Sequence, residues 1–393
     1  MDIRPLRNPI FDPEVQAWGL LPRLLRWLTL LWLFVGLAIL FSASYPSANA
    51  DFGDGLYYFK RQLIWVAVGL VVFNFVIYRP LDVILRQAPV GTIVLLVGIW
   101  LTFIPGLGTN VHGATRWLAI GSIPIQPSEL IKPFLILQGA RLFGQWERWP
   151  WRMRLRWLCI FAAVLLGILL QPNLSTTALC GMTLWLVALG AGLPYGYLGT
   201  TAVSGLLLAL VSISFKEYQR RRVMSFLNPW ADRFGDGYQL IQSLLAVGSG
   251  GPLGTGFGRS QQKLLYLPIQ FTDFIFAVFA EEFGFVGSMS LMLLLVTYAS
   301  LGLLVALQSR QKVHQLVAIG ATILMVGQSI LNIGVATGVL PTTGLPLPLF
   351  SYGGSSMISS LITAALLIRV ARENTSGNVV SLPRLRRQKP PSS

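Results

Sequence analysis

The sequence predicts an all-α polytopic membrane protein of about ten transmembrane helices. Hydrophobic residues make up 54% of the 393 residues and charged residues only 11%, against roughly 25% charged residues in a soluble domain. Apolar runs recur along the whole chain, and each is long enough to cross a bilayer as a helix. The predicted spans are 25–44, 62–78, 88–104, 127–145, 155–171, 175–193, 196–215, 273–306, 312–339 and 352–372.

The distribution of basic residues predicts that both termini are cytoplasmic. Lys and Arg concentrate in the N-terminal segment 1–24, in the loops after the second, fourth and eighth spans, and in the tail 373–393. Cytoplasmic loops carry an excess of these residues, and with this span count all five segments lie on one side. The tail is rich in Ser, Pro and Arg and is predicted to be disordered. The membrane domain 25–372 then has its largest loop, 216–272, outside the membrane between the seventh and eighth spans.

The formal net charge of +15 does not indicate nucleic-acid binding. Most basic residues lie in short loops and at the termini, where they set topology and attract anionic lipids. The outer loop 216–272 is different, because it is basic although it faces outward. Long loops escape the charge rule, so an anionic ligand is the simplest explanation. Its basic residues include Arg220, Arg221, Arg222, Arg233, Arg259 and Lys263.

Four carboxylates lie inside long apolar runs, at Glu129, Asp273, Glu281 and Glu282. An ionised carboxylate is costly at membrane depth, so each is a candidate functional residue. Asp273 lies at the outer end of the eighth span, where the helix dipole favours its ionised form. That suits a general base. Alternatively, Thr272 or Asp273 caps the helix, and the sequence leaves both interpretations open.

The other charged residues at depth have both structural and functional interpretations. Glu281 and Glu282 follow Asp273 at a distance of about 12–14 Å along a helix. This is too far for a carboxylate pair acting on one bond, so we expect a buried salt bridge. Glu129 and Lys132 share a helix face and can pair. Their pair either positions a cavity or is purely structural.

Two irregular segments complete the candidate sites. In the glycine-rich loop 248–259, backbone N–H groups can form an anion-binding nest, to which Arg259 and Lys263 add charge. The alternative is a flexible re-entrant turn. The segment 340–356 contains three prolines. Irregular backbone near membrane depth is tolerated where it is buried in protein or lines a cavity, and the small residues at 353–356 permit close helix packing.

Together these segments resemble the SEDS family (shape, elongation, division and sporulation), which includes FtsW, RodA and SpoVE. The resemblance covers about 25–372, and its motifs occur in the family's order. The motifs are Gly113-Ala114-Thr115-Arg116-Trp117, Gln126-Pro127-Ser128-Glu129 with Lys132, Gln171-Pro172-Asn173-Leu174, Phe226-Leu227-Asn228-Pro229, Gly237-Tyr238-Gln239, Thr272-Asp273-Phe274-Ile275-Phe276 with Glu281-Glu282, and Pro348-Leu349 through Ser355.

The resemblance implies an inverting membrane glycosyltransferase that polymerises lipid II into β-1,4 glycan strands and releases undecaprenyl diphosphate. The family's essential aspartate aligns with Asp273, which is thought to act as the catalytic base. The candidate substrate-binding residues are Arg116, Glu129, Lys132, Arg259, Lys263, Ser351 and Ser355.

The resemblance also implies a divalent cation, Mg or Mn, whose ligands the sequence does not identify. It implies a class B penicillin-binding protein as transpeptidase partner, together with other divisome membrane proteins. The expected location is the bacterial inner membrane at the division septum, with the active site on the extracytoplasmic side.

Within the family, the segments 228–230, 237–240 and 262–264 look more like FtsW, while 343–346 leans towards RodA. The chain also departs from the family's pattern. Ile269 and Phe271 stand where the family usually has Glu and His, Asn173 replaces an Asp, and Ser175 replaces a Gly. These departures affect the surroundings of Asp273 and the expectation of a metal.

Three other functions are compatible with the sequence. A lipid II flippase or another transporter needs polar residues near the bilayer midplane, which Glu129, Lys132, Glu281 and Glu282 could supply. A catalytically silent division scaffold needs no carboxylate at all. A RodA-type elongation polymerase would use the same chemistry in lateral wall growth. An enzyme needs its key group at the outer mouth, and Asp273 fits that position best.

Overall fold

The computed structural model describes residues 15–16, 18–111, 114–121, 123–268 and 270–376. This part of the chain is mainly helical, so the predicted class of polytopic helical membrane protein is confirmed. Residues 1–14 and 377–393, which include most of the predicted cytoplasmic segment and tail, lie outside the described residues.

The helices are α1 (Leu20–Phe52), α2 (Tyr57–Tyr78), α3 (Leu81–Leu101), α4 (Pro127–Gly144), α5 (Trp151–Leu170), α6 (Leu174–Ala191), α7 (Tyr195–Phe215), α8 (Glu217–Leu227), α9 (Tyr238–Ser249), α10 (Ile275–Gln308), α11 (Lys312–Thr322), α12 (Gln328–Ala336) and α13 (Gly354–Ser376).

Nine spans in the described residues are long and apolar enough to cross a membrane. They are α1 to α3, α5 to α7, α10, α11 continued by α12, and α13. The remaining predicted span is α4, which is less apolar because it carries Glu129, Lys132 and Arg141. It is nevertheless enclosed by α3, α6, α11 and α13, and most of its side chains are buried. The helix bundle therefore shields these charges from lipid, as the cost of charge at membrane depth requires.

Two spans contain irregular turns. The ninth consists of α11 and α12 joined by a π-helical segment, Ile323–Gly327. The extra residue in a π turn changes the direction in which the following side chains point. The eighth span, α10, is interrupted at Gly284, whose φ of 66° and ψ of −161° are not helical. Such a backbone conformation is essentially restricted to glycine.

The interruption of α10 is filled by the glycine-rich loop. The amides of Thr255 and Gly256 donate to the carbonyl oxygens of Glu281 and Glu282, at 2.9 and 3.0 Å. A Cβ at Gly254 would lie 2.2 Å from the Glu282 carbonyl oxygen, so only glycine permits this approach. Because the amides of Thr255 and Gly256 bind α10, they are not available to an anion. The predicted anion-binding nest is therefore wrong for these two amides. The loop is an ordered structural contact, not a flexible re-entrant turn.

The connections predicted to lie outside the membrane contain structure that the sequence did not predict. The connection between α3 and α4 folds into an antiparallel sheet in the order β1 (Gly108–Val111), β2 (Ala114–Ile120) and β3 (Ile123–Ile125). The loop between α7 and α10 contains α8 and α9. The strands are too short for periodicity to reveal them. Helix α13 also extends to Ser376, into the segment predicted to be a disordered tail.

Candidate functional site

The connections predicted to lie outside the membrane converge on Asp273, just before α10 begins at Ile275. Asp273 remains half-exposed, whereas Glu129, Glu281 and Glu282 are buried. Gly344 in the proline-rich segment has a φ of 72°, and a Cβ placed on it would lie 3.4 Å from Oδ2 of Asp273. The same Cβ would lie 3.9 Å from an Arg222 nitrogen. Glycine at this position thus lets the backbone, the carboxylate and a guanidinium group come together.

Two arginines flank the Asp273 carboxylate. Arg222 on α8 donates to the Thr342 carbonyl oxygen at 3.2 Å, and its guanidinium lies 4.5 Å from the centre of the Tyr218 ring. Arg116 on β2 donates to the carbonyl oxygens of Gln171 and Pro172 at 2.9 and 2.6 Å. The predicted Arg116 therefore belongs to the site. Arg222 was noted only as part of a basic loop and was not predicted as a site residue.

The electrostatics of Asp273 suit proton transfer. Burial raises the pKa of the Asp273 carboxyl above its usual range, while Arg222 and then Arg116 act in the opposite direction. Burial also lowers the pKa of the Arg116 guanidinium. A carboxylate with a raised pKa is a stronger base than a solvated one.

The capping alternative for Asp273 is not supported by the geometry. The N-cap of α10 is Phe274, which makes no side-chain capping hydrogen bond. The helix start is instead stabilised by backbone contacts, such as the Ala277 amide donating to the Phe274 carbonyl oxygen at 2.9 Å. The Asp273 side chain is therefore not used to begin the helix.

The proline-rich segment, residues 340–356, binds the two residues that precede Asp273 in the chain. The Tyr352 amide donates to the Phe271 carbonyl oxygen at 2.9 Å, and the Ser351 hydroxyl donates to that of Thr272 at 2.5 Å. Ser355 accepts a hydrogen bond from the Gln126 amide at 2.9 Å. Both predicted substrate-binding serines thus bind backbone groups, which favours a structural role for their hydroxyls.

The predicted pair of Glu129 and Lys132 is confirmed at a distance of 2.7 Å, with both side chains buried. Lys132 also donates to Oε1 of Gln328 at 3.1 Å. The pair lines a cavity of about 10 Å³, which has room for about one water molecule. This space is far too small for a sugar, so the contacts favour the structural interpretation of the pair over direct substrate binding.

The sequence predicted a buried salt bridge at Glu281 and Glu282. Glu282 forms one with Lys263, at a distance of 2.7 Å. The Lys263 ammonium also donates to the Ser42 hydroxyl at 2.7 Å. Glu281 accepts hydrogen bonds from the Ser260 hydroxyl and from two amides of the same loop. Lys263 was predicted to bind substrate, but its ammonium is buried and engaged in this pair.

Arg259 was also predicted to bind substrate and lies on the exposed surface of the glycine-rich loop. The loop that carries it binds α10 at Glu281 and Glu282. Substrate binding by Arg259 stays a prediction.

The departures from the family pattern have local explanations. Phe271 stacks on Tyr58 with ring centres 4.6 Å apart and meets Tyr352 edge-on. Asn173 caps α6 by accepting from the Thr176 amide at 3.3 Å, a role that Asn and Asp fill equally well. Ile269 lies outside the described residues.

The described residues do not fit a divalent cation held by the protein alone. They contain no group of three His, Cys, Asp or Glu side chains suited to a metal ion. The two largest effects of charged groups on Asp273 come from guanidinium groups, and the neighbouring ring at Phe271 is apolar. A cation there would need most of its ligands from elsewhere.

Comparison with known sequences gives matches along nearly the whole chain. A family model described as a cell cycle protein, FtsW/RodA/SpoVE, matches residues 22–376. The chain is 56% identical to the probable peptidoglycan glycosyltransferase FtsW of Synechocystis sp., covering 95% of each chain. It is 50% identical to the putative peptidoglycan glycosyltransferase FtsW of Mesostigma viride, covering 95% of this chain and 90% of that one. Stage V sporulation protein E of Bacillus subtilis is 35% identical, with 88% and 95% covered.

Solved structures show the same fold. The rod shape determining protein RodA of Thermus thermophilus has a TM-score of 0.67 and 26% identity, covering 92% of this chain and 99% of that chain. A chain from a peptidoglycan synthase complex that coordinates polymerization and crosslinking has a TM-score of 0.72 and 28% identity. That match covers 91% of this chain and 98% of the other.

The buried contact between Lys263 and Glu282 leads to a stability prediction. Replacing Lys263 with Met leaves the Glu282 carboxylate buried without its partner. Loss of one member of a buried ion pair costs about 3–5 kcal/mol in the free energy of unfolding. We therefore expect a large fall in the thermal unfolding midpoint of the detergent-solubilised protein.

The double variant Lys263→Met with Glu282→Gln should recover most of that loss, because no uncompensated charge remains. Arg259→Met is the matched control, since it removes an exposed cation from the same loop and should leave the midpoint unchanged. An unchanged midpoint for Lys263→Met would contradict the structural role of the pair.

Proposed function

The chain belongs to the FtsW/RodA/SpoVE family of cell cycle proteins, and we propose that it polymerises lipid II as a peptidoglycan glycosyltransferase. Relatives that are 56% and 50% identical are named peptidoglycan glycosyltransferase FtsW. The observation that carries the proposal is the half-exposed Asp273 between Arg116 and Arg222, where the outer connections meet. One base and two cations are what transfer of a sugar from a diphosphate requires.

Asp273 acts as the general base. Its carboxylate takes the proton from the 4-hydroxyl of the acceptor sugar while that oxygen attacks C1 of the donor MurNAc. The bond between C1 and the diphosphate oxygen breaks with inversion, and undecaprenyl diphosphate leaves with the bonding electrons. The proton then passes from Asp273 to solvent. A positioned base of this kind typically contributes about 100- to 10,000-fold to a rate.

Arg116 and Arg222 stabilise the negative charge of the leaving diphosphate. Guanidinium groups suit this task because their planar donors match phosphate oxygens and they stay charged. Arg116 is fixed by the carbonyl oxygens at 171–172, and Arg222 by Thr342 and the Tyr218 ring. Cations held in place before reaction stabilise developing charge without reorganisation. Diphosphate binding also offsets their charge, which raises the pKa of Asp273 and strengthens it as a base.

The naming of the relatives and the segments 228–230, 237–240 and 262–264 support septal wall synthesis during division. The site lies at the end of the bundle predicted to be extracytoplasmic, which suits polymerisation outside the membrane. A transporter is less well supported, because the cavity beside Glu129 and Lys132 is only about 10 Å³.

A class B penicillin-binding protein is proposed as transpeptidase partner at the septum, alongside other divisome membrane proteins. The support is the match to a chain of a peptidoglycan synthase complex that coordinates polymerization and crosslinking. The new glycan strand would pass directly from Asp273 to the partner's crosslinking site. The yield of glycan polymer from labelled lipid II, measured with and without this partner, shows whether polymerisation depends on the partner.

The divalent cation expected from the family, Mg²⁺ or Mn²⁺, is proposed to enter with the substrate. Magnesium usually keeps several waters and binds one or two carboxylates together with substrate phosphates. Calorimetric titration of Mn²⁺ into the substrate-free protein should show no specific binding, whereas polymerisation should require the ion. Stoichiometric binding without lipid II would contradict this proposal.

The proposed function predicts that Asp273→Asn abolishes polymerisation while preserving the fold. The amide has nearly the same shape but cannot accept the proton, so polymer formation should fall by about 100- to 10,000-fold. The measurement is the yield of glycan polymer from labelled lipid II with purified protein, alone and with the co-purified transpeptidase.

Asp236→Asn is the matched control, because it changes an exposed aspartate in the same outer loop. It should polymerise lipid II like the unmodified protein. Equal polymer from Asp273→Asn and the unmodified protein would remove Asp273 from the mechanism. No polymer from the unmodified protein in complex with its partner would favour a flippase or a scaffold.

A further inference from the structure

Asn332 on α12 contacts the backbone of Asp273 directly. Its side-chain amide donates one hydrogen bond to the Asp273 carbonyl oxygen at 2.7 Å and another to the Leu345 carbonyl oxygen at 2.8 Å. Leu345 follows Gly344, the residue packed against the Asp273 carboxylate. One buried amide thus joins the residue that carries the base to the segment that forms the wall beside it.

The acceptor side of the same amide is not used by the protein. Asn332 is 1% exposed, and its Oδ1 has no hydrogen-bond partner among the described residues. A buried polar atom without a partner costs free energy. The two donated hydrogen bonds are therefore the contacts that fix the direction of this side chain.

The direction of Asn332 follows from the π-helical segment before it. The segment Ile323–Gly327 ends one residue before Gln328, and Asn332 follows Gln328 by one helical turn. Residues four apart lie on the same helix face. Gln328 donates to the Pro346 carbonyl oxygen at 2.7 Å, directly beside the Leu345 contact of Asn332. The extra residue of the π turn therefore turns both amides towards the proline-rich segment.

Gln328 connects this arrangement to the buried ion pair. Its Oε1 accepts a hydrogen bond from Lys132, which is paired with Glu129. The proline-rich segment is also held by Arg222 at the Thr342 carbonyl oxygen. Three carbonyl oxygens of this segment, at 342, 345 and 346, thus accept bonds from side chains outside it.

We propose that Asn332 is the positioning residue for the Asp273 base, fixing its carboxylate relative to Arg222 and to Gly344. The inference rests on the proposed function and adds to it a residue outside the substrate contacts. Asn332 does not touch the reacting atoms. Its two hydrogen bonds fix the distance between the Asp273 backbone and the proline-rich segment, which lies beside the Asp273 carboxylate.

The test compares Asn332→Ala with the matched control Ser329→Ala. Ser329 is equally buried on α12, but its hydroxyl donates only to the Met325 carbonyl oxygen of its own span, at 2.7 Å. Initial rates of polymerisation are measured against lipid II concentration and pH with active, monodisperse protein. Asn332→Ala should lower kcat by about 10- to 100-fold, the effect of a small misplacement of a catalytic group, with KM nearly unchanged.

The pH profile separates positioning from simple loss of stability. A carboxylate displaced from Arg222 loses the influence that lowers its pKa. The acid limb of the kcat/KM profile, which reports the free enzyme, should therefore move to higher pH in Asn332→Ala and stay in place in Ser329→Ala. Partial unfolding would reduce the active fraction without moving the limb. If Asn332→Ala does not fold, Asn332→Leu, which keeps nearly the same volume, loses the two donors and adds no titratable group, takes its place.

The proposal is overturned if the Asn332 variants keep the unmodified kcat, if only KM changes, or if the acid limb stays in place. Failure of the proposed function looks different, because then the unmodified protein itself makes no polymer or Asp273→Asn remains active. One assay therefore distinguishes the two failures. The Asn332 variants report on the positioning role, and the unmodified protein and Asp273→Asn report on the proposed function.

Discussion

The structure depends on the need to pair the charged side chains inside the membrane domain with partners from within the protein. Three of its four carboxylates in apolar runs meet this need with buried partners. Glu129 pairs with Lys132, Glu282 pairs with Lys263, and Glu281 binds the loop after Ser260. Only Asp273 remains half-exposed, between cations. The carboxylate that is not needed for the architecture is the one available for chemistry.

The same constraint applies to the backbone. The interruption of α10 at Gly284 exposes carbonyl and amide groups, and the glycine-rich loop binds them. The proline-rich segment cannot form a helix, and Arg222, Asn332 and Gln328 bind its carbonyl oxygens instead. Irregular segments that are fixed at each step behave as rigid supports. Asp273 lies against the proline-rich segment at Gly344 and is bound by Asn332, so the base is held before substrate arrives, which is how preorganised sites gain rate.

The sequence predicted the spans, Asp273, Arg116, the pair of Glu129 and Lys132, and a salt bridge at Glu281 or Glu282 without its partner, because hydrophobic runs and charges at depth are local signals. It did not predict the partners that bring distant segments together. Lys263 looked free because its contacts with Ser42 and Glu282 exist only in the folded protein. Three adjacent arginines point in three directions around α8, so the sequence alone could not select Arg222. Asn332 gave no signal, since one amide in an apolar span is unremarkable until its contacts are known. The short strands around Arg116 lacked a periodic pattern.

The pH dependence of kcat/KM for lipid II polymerisation tests the central claim most directly, that Asp273 is a base whose pKa is raised by burial and partly lowered again by the two arginines. The base must be deprotonated, so the rate should fall as pH decreases through its pKa. Arg222 lowers that pKa, so in Arg222→Gln the acid limb should move to higher pH. An acid limb that is absent from the unmodified protein, or that stays in place in Arg222→Gln, would contradict the account.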